Sequence, residues 1–362
     1  MGQGTRTKTT VFDRLHKPDS GQQHCYNFWY NDFSLISLRW SATLSGTSFE
    51  VKIDRVVDGD TVRVFLEEDA PKSESLRILS LDTEEVNAGN KPVTELGRRA
   101  SERAKELLKE GDRVKLTLPG NEPRDEAIAK YRGNFGRLLC YVELEDGTDF
   151  QELMIREGFS PYFQKYGYAE FANFHTRYRD AEREAQSKVL GIWDQIANNG
   201  AMMRNYAALC TWWDLRARVI EGYREIKRRL PEANLFNTRL DYARLVEIAK
   251  AGEETTVFME LRDFTPTASD HIVFNTGSLE QPYQMFVPNA NVGRGEEIMN
   301  LVLQRYRANG DTAPRRSYAY VTGKTKMFPD ADTGRPEIVV TDVNQITDWP
   351  STTLERAGLA LN

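Results

Sequence analysis

Three carboxylates and a guanidinium, Asp60, Asp82, Glu85 and Arg77, fall close together in the chain, and a second guanidinium, Arg137, follows about fifty residues later. They are carried by Asp58-Gly59-Asp60-Thr61, by the run from Leu76 through Arg77, Asp82, Thr83 and Glu84 to Glu85, and by Phe135-Gly136-Arg137-Leu138-Leu139. Such a set suits a hard metal ion and a phosphodiester. A phosphodiester resists attack because it is already anionic, so a catalyst must supply a cation, an activated water and donors for charge that builds on the equatorial oxygens. Asp60 and Asp82 offer the oxygen ligands that Ca²⁺ or Mg²⁺ takes, and the backbone carbonyl of Thr83 could add a third. Glu85, past a sharp strand end, is the candidate to orient or deprotonate water. Arg77 and Arg137 present planar forks that match phosphate oxygens and stay charged at any working pH.

A zinc site is not expected, because His16, His24, His175 and His271 are scattered and none falls in this constellation. From about residue 49 to residue 193 the chain resembles the staphylococcal nuclease (thermonuclease) family. The resemblance rests on the Asp-Gly-Asp-Thr turn, the Arg77-to-Glu85 run, Phe135-Gly136-Arg137-Leu138-Leu139, the helix end between Leu153 and Gly158, and the closing Gly191-Ile192-Trp193. It implies a Ca²⁺-dependent phosphodiesterase, with Mg²⁺ as the alternative ion, built on a five-stranded OB-type barrel with helices. It assigns the metal to Asp60, Asp82 and the Thr83 carbonyl, the general base to Glu85, and the phosphate to Arg77 and Arg137. It also implies low sequence specificity and a 3′-phosphate product. Two departures stand out: Glu84 occupies a position where the family commonly has proline, and Phe135 one where a tyrosine is usual. Counterparts of the family's base-stacking tyrosines are Tyr162, Tyr166 or Tyr168.

A length of 362 residues predicts two or three domains. The formal net charge of −6 excludes a protein that coats nucleic acid by bulk electrostatics, so local basic patches must serve instead. Cys25, Cys140 and Cys210 are odd in number and far apart, which implies no disulfide framework. No run approaches the apolar length of a membrane span, and residues 1–10 are polar with no visible secretory signal; the expectation is a cytoplasmic protein with no membrane partner.

The predicted architecture is α+β, mainly β, in five parts. Residues 1–48 form an extension without sustained periodicity, and 49–194 the catalytic barrel, with strands at 49–53, 61–66, 114–118 and 138–144 and helices at 95–110, 150–157 and 174–188. Residues 121–134 read as a charged loop. Residues 195–252 form a helical connector, 253–350 a second OB-like barrel, and 351–362 a tail. The second barrel is read from three strands, a helix at 296–307 and two further strands.

Beyond the catalytic set, the candidates for nucleic-acid contact are Tyr162 and Tyr166, the connector cluster Lys227, Arg228 and Arg229, and Tyr318, Tyr320 and Lys324 on a late strand. Trp212 and Trp213 are expected to pack in an interface. The functional expectation is a metal-dependent nuclease acting on DNA, RNA or both, with the second barrel helping to bind a single strand. The alternative is a nucleic-acid-binding scaffold whose nuclease domain is weak or inactive, and the connector could also recruit other nucleic-acid-processing proteins.

Overall fold

The computed structural model describes residues 46–86, 93–133, 135–196, 204–278, 281–307, 314–350 and 354. The predicted extension up to residue 45, most of the tail and part of the connector lie outside the described residues. The described residues belong to one compact unit.

Strand β1 (Ser48–Val56) alternates as a half-buried strand must, with Val51 and Ile53 turned inward. It pairs antiparallel with both β2 (Thr61–Phe65) and β4 (Arg113–Thr117). With β3 (Glu74–Ile78) and β5 (Leu138–Glu143) these strands close a barrel in the order β1-β2-β3-β5-β4, in which β3 and β5 run parallel. Helix α1 (Glu95–Leu107) crosses from β3 to β4; Thr94 caps it by accepting from the Gly97 N–H at 3.1 Å, and Leu96, Ala100 and Ala104 form its buried stripe. Where the sequence predicted a loop at 121–134, a short helix α2 (Arg124–Lys130) forms. Only Ala127 of that helix is buried, which is why no apolar period marks it. Helices α3 (Phe150–Arg156) and α4 (Ala172–Ser187) complete a core that includes Leu76, Ile78, Leu116, Cys140, Phe150 and Tyr178.

Helix α5 (Tyr206–Arg229) follows, then β6 (Leu235–Asn237) and α6 (Tyr242–Ala251). Next come β7 (Glu254–Glu260), β8 (Asp263–Pro266), β9 (Ile272–Asn275), β10 (Gln284–Val287), α7 (Gly293–Leu301), β11 (Tyr318–Phe328), β12 (Arg335–Val339) and β13 (Ile346–Thr347). The sheet runs β6-β7-β11-β12-β10-β9-β8, with β13 also on β11. Setting aside the short β6 at its margin, the remaining six strands begin and end with β7 and β8, which are separated in sequence only by Leu261 and Arg262. Counted as one interrupted first strand, they give this sheet the neighbour order of the first barrel, again with third and fifth strands parallel (β10 and β12) and a helix before the fourth. Two buried clusters flank β11. Ala319 and Val321 enter the sheet core with Met285 and Ile338, whereas Tyr318 and Tyr320 pack with Phe258 and Tyr223 beneath α5.

Candidate active site

The site is built where β1, β2, β3 and β5 end. The turn after β1 is closed by Val57 N–H donating to the Thr61 carbonyl at 2.9 Å, and the Asp60 N–H donates to Asp58 Oδ1 at 3.1 Å. Gly59 is required there by close approach, because a Cβ would stand 2.7 Å from the Thr83 methyl carbon. Cross-strand register places Thr61 opposite Arg77. Arg77 therefore reaches across two elements: Nη1 forms an ion pair with Asp60 Oδ1, and Nη2 lies 3.0 Å from both Asp82 Oδ1 and the Leu81 carbonyl. The strand after Arg77 turns sharply at Ser80, whose φ of 64° lies in the left-handed region. Asp82 is then pinned through its N–H to Ser160 Oγ at 2.9 Å, and Thr83 through its N–H to Asp60 Oδ2 at 3.1 Å.

Arg137 follows Gly136, whose φ of 71° suits a residue without Cβ, and donates to Thr61 Oγ1 at 3.4 Å; the same hydroxyl donates to Asp60 Oδ1 at 3.0 Å. Phe135 is 82% exposed, with the Arg137 guanidinium 5.7 Å from its ring centre. Half-buried Glu85 has its backbone fixed by the Thr94 N–H at 3.3 Å and a bridge to Val93. The sequence-predicted residues Asp60, Arg77, Asp82, Thr83 and Arg137 thus lie within one network of contacts at one end of the barrel, and Glu85 closes the same strand end.

Burial alone would weaken the charged form of Arg77; Asp60 and then Asp82 outweigh it and hold the guanidinium more firmly protonated than usual. Burial, reinforced by Asp60, pushes Asp58 up to about 6.

Sequence reasoning missed Arg204. It lies just before α5 and inserts into the same site: Nη1 forms an ion pair with Asp82 Oδ2, Nη2 donates to the carbonyls of Asp82 at 3.0 Å and Thr83 at 3.3 Å, and Nε stands 3.1 Å from Glu84 Oε1. The Tyr206 hydroxyl accepts from Arg204 Nη2 at 2.8 Å and donates to Glu84. Glu84 is itself buried and accepts from Thr94 Oγ1 at 3.3 Å. The carboxylate that stands where the family commonly has proline is therefore the anchor of the segment leading into α5. A separation of 122 residues from Asp82 leaves no local signal for Arg204.

The donor set fits a hard divalent cation in type: two carboxylates joined by one guanidinium, and a carbonyl next to one of them. Among the described residues no group of three or more His, Cys, Asp or Glu gathers as a metal cluster, so this carbonyl and solvent would have to complete a coordination shell.

The predicted nucleic-acid residues divide. Tyr166 is 56% exposed, its ring 5.5 Å from Lys165 Nζ. Tyr162 is buried, accepts from the Ala169 N–H at 2.7 Å and meets His175 Nδ1 at 3.0 Å, so its ring belongs to the core. Tyr318 and Tyr320 offer no face to a ligand either: Phe258 stacks on Tyr318 at 5.1 Å and tilts against Tyr320 at 5.0 Å. Arg228 and Arg229 are exposed but share Glu225, and Lys227 donates to the Pro231 carbonyl at 3.1 Å. Lys324 is exposed opposite Glu254. In the first barrel Arg124 and Arg132 serve structure, the first over Phe49 at 4.6 Å and the second 2.9 Å from Glu74.

Comparison with known proteins agrees with this geometry. A family profile described as "Staphylococcal nuclease homologue" matches residues 75–195. The thermonuclease of Staphylococcus intermedius is 33% identical over 159 residues, 43% of this chain and 81% of that enzyme. The chain belongs to the staphylococcal nuclease family. The chain is also similar to endonuclease YncB of Bacillus subtilis, 33% identical over 41% of this chain, and to the SPbeta prophage-derived endonuclease YokF of the same organism, 33% identical over 40%. The chain spans 65% and 44% of those two proteins' lengths. The family profile ends at residue 195, before Arg204 and α5. No described helix is long and apolar enough to cross a membrane.

Proposed function

We propose that the protein is a metal-dependent nuclease that hydrolyses phosphodiester bonds in DNA, RNA or both. The observation that carries this reading is the Arg77 guanidinium lodged between Asp60 and Asp82, with Arg137 joined to the same acid through Thr61. Asp60, Asp82 and the Thr83 carbonyl would hold Ca²⁺, or Mg²⁺, which when bound supplies positive charge to the phosphate oxygens. Glu85 accepts the proton of the attacking water. Arg77 keeps the two aspartates at a fixed separation, and both arginines offset the charge that builds on the phosphate in the transition state. The Bacillus relatives are named endonucleases, which favours cutting within a strand.

The second sheet helps to hold a single strand in this reading. Its support is two aromatic rings paired with cations, Phe264 with Arg307 at 4.8 Å and Phe328, 43% exposed, with Lys326 at 5.6 Å, to which the loop between α3 and α4 of the first barrel adds Tyr166 with Lys165.

The test is cleavage of end-labelled single-stranded and duplex DNA and RNA in Ca²⁺, in Mg²⁺ and in chelator. Cutting is expected only with metal, and Glu85→Ala and Arg137→Ala should each reduce it by about 10²-fold or more. Cutting that persists in chelator or in both variants overturns the proposal. Binding without cutting would move the function to a scaffold.

A further inference from the structure

Arg204 occupies the oxygens that a metal would need. Its side chain is 13% exposed, and its three nitrogens make five polar contacts, two of them with carbonyl oxygens that can accept a cation of either kind. Asp82 Oδ1 is held by Arg77 and Oδ2 by Arg204, so a divalent ion at Oδ2 would meet the Arg204 guanidinium on the same oxygen. The Thr83 carbonyl faces the same guanidinium. Burial opposes the charge on Arg204, and Asp82 more than restores it, so the group stays a cation in place.

Charge balance favours exchange over sharing. Asp60, Asp82 and Glu84 with Arg77 and Arg204 sum to one negative charge, and a divalent ion in place of Arg204 brings the group to neutrality. Adding the ion beside Arg204 would instead press two cations together in a buried site.

We propose that Arg204 is a tethered cation that competes with the divalent ion for Asp82 and Thr83, so that ion binding and docking of the start of α5 exclude one another. The proposal rests on the metal-dependent reading above. Arg204 directly precedes Asn205, which caps α5 by accepting from the Ala208 N–H at 3.1 Å, and Trp212 further along α5 donates to the Arg315 carbonyl at 2.9 Å. Occupancy of the catalytic barrel is thereby coupled to the helix that leads to the second sheet. By reciprocity, whatever draws Arg204 away strengthens ion binding by the same factor.

The test is calorimetric titration of Ca²⁺ into the full chain and into Arg204→Ala and Arg204→Gln, with folding of each checked by circular dichroism. Both variants should bind Ca²⁺ about tenfold tighter than the wild type and show a larger rise in melting temperature on adding the ion. Equal or weaker binding by a folded variant overturns the competition and leaves the metal-dependent reading standing. Absence of Ca²⁺ binding in the wild type and in both variants overturns both. Arg204→Gln, which keeps length and part of the hydrogen bonding, decides the matter if the alanine variant fails to fold.

Discussion

Arg216 Nη1 lies 2.9 Å from Glu260 Oε1, and this pair joins α5 to the second sheet. Arg216 is 1% exposed; its Nε donates to the Lys165 carbonyl at 3.0 Å and its Nη2 to the Tyr318 hydroxyl at 3.1 Å. One side chain on α5 thus touches a loop of the first barrel and two strands of the second sheet. Removing one partner of a buried pair strands the other, a loss of about 3–5 kcal/mol. Arg216→Met should lower stability in urea unfolding by several times more than Arg218→Met on the exposed face of the same helix, and Glu260→Gln in the same chain should recover part of the loss. Equal effects of the two arginine variants would deny Arg216 this joining role.

Arg77→Lys tests whether the fork, and not charge alone, holds the acids. An ammonium is a point charge that cannot bond Asp60 and Asp82 with separate nitrogens. The turnover rate should fall by about 10²-fold, and the melting temperature should fall with it, because one of two buried aspartates loses its partner; unchanged turnover would show that charge alone suffices.

Gly97 lies on α1 against the backbone that carries Glu85: a Cβ there would fall on the Glu85 carbonyl. In an exposed helix Gly→Ala stabilises by about 1 kcal/mol. Here Gly97→Ala should instead destabilise the fold and lower activity, because α1 and the Glu84-Glu85 segment must separate. A raised melting temperature with intact cleavage would show the contact to be slack.

Burial pushes Glu182 from its ordinary value of 4.5 up to about 7, against the favourable Tyr162 N–H that donates to it at 2.9 Å. An acid whose value is raised by folding binds its proton more tightly in the folded state, so stability falls as pH rises from about 4.5 to 7. The span amounts to about 3 kcal/mol at most. Glu182→Gln keeps an acceptor for Tyr162 and removes the titration. The variant should therefore gain on the wild type in denaturant unfolding at pH 8 relative to pH 5; an unchanged difference would refute the burial effect.

Arg228 and Arg229 spend their charge on Glu225, whereas Lys165 stands beside the exposed Tyr166 ring and Arg262 lies on the interruption between β7 and β8. Replacing both Arg228 and Arg229 by Gln should leave affinity for single-stranded DNA nearly unchanged. Replacing Lys165 and Arg262 by Gln should weaken it by about tenfold and flatten its dependence on salt. Fluorescence anisotropy with a labelled oligonucleotide reads both.

The barrel was legible because its strands alternate: Val51, Ile53, Val62, Val64, Leu76 and Ile78 are all buried at period two. The grouping of Asp60, Arg77 and Asp82 was legible because strand ends near in sequence meet at one end of that barrel. Tyr318 and Tyr320 were misread for a definite reason. Alternation assumes that one face of a strand meets solvent, but β11 is covered on both sides, by the sheet core and by the layer under α5. Arg204 was invisible because its partners are supplied by tertiary contact alone. Helix α2 was read as a loop because a short charged helix with one buried alanine carries no period.

The tryptophans are distributed unevenly. Trp193 packs with Leu96, Ile192 and Tyr206, Trp212 and Trp213 with Leu209 and Phe163, and Trp349 beside Tyr320, so among the described residues neither the barrel core nor the core of the second sheet contains an indole. With Trp29 and Trp40 replaced by phenylalanine, intrinsic emission becomes a gauge of the seams along α5 and is silent on the two cores themselves. A red shift that precedes loss of the β-sheet circular dichroism signal would report α5 peeling away as a separate event, and the titration with Ca²⁺ can be followed by the same light.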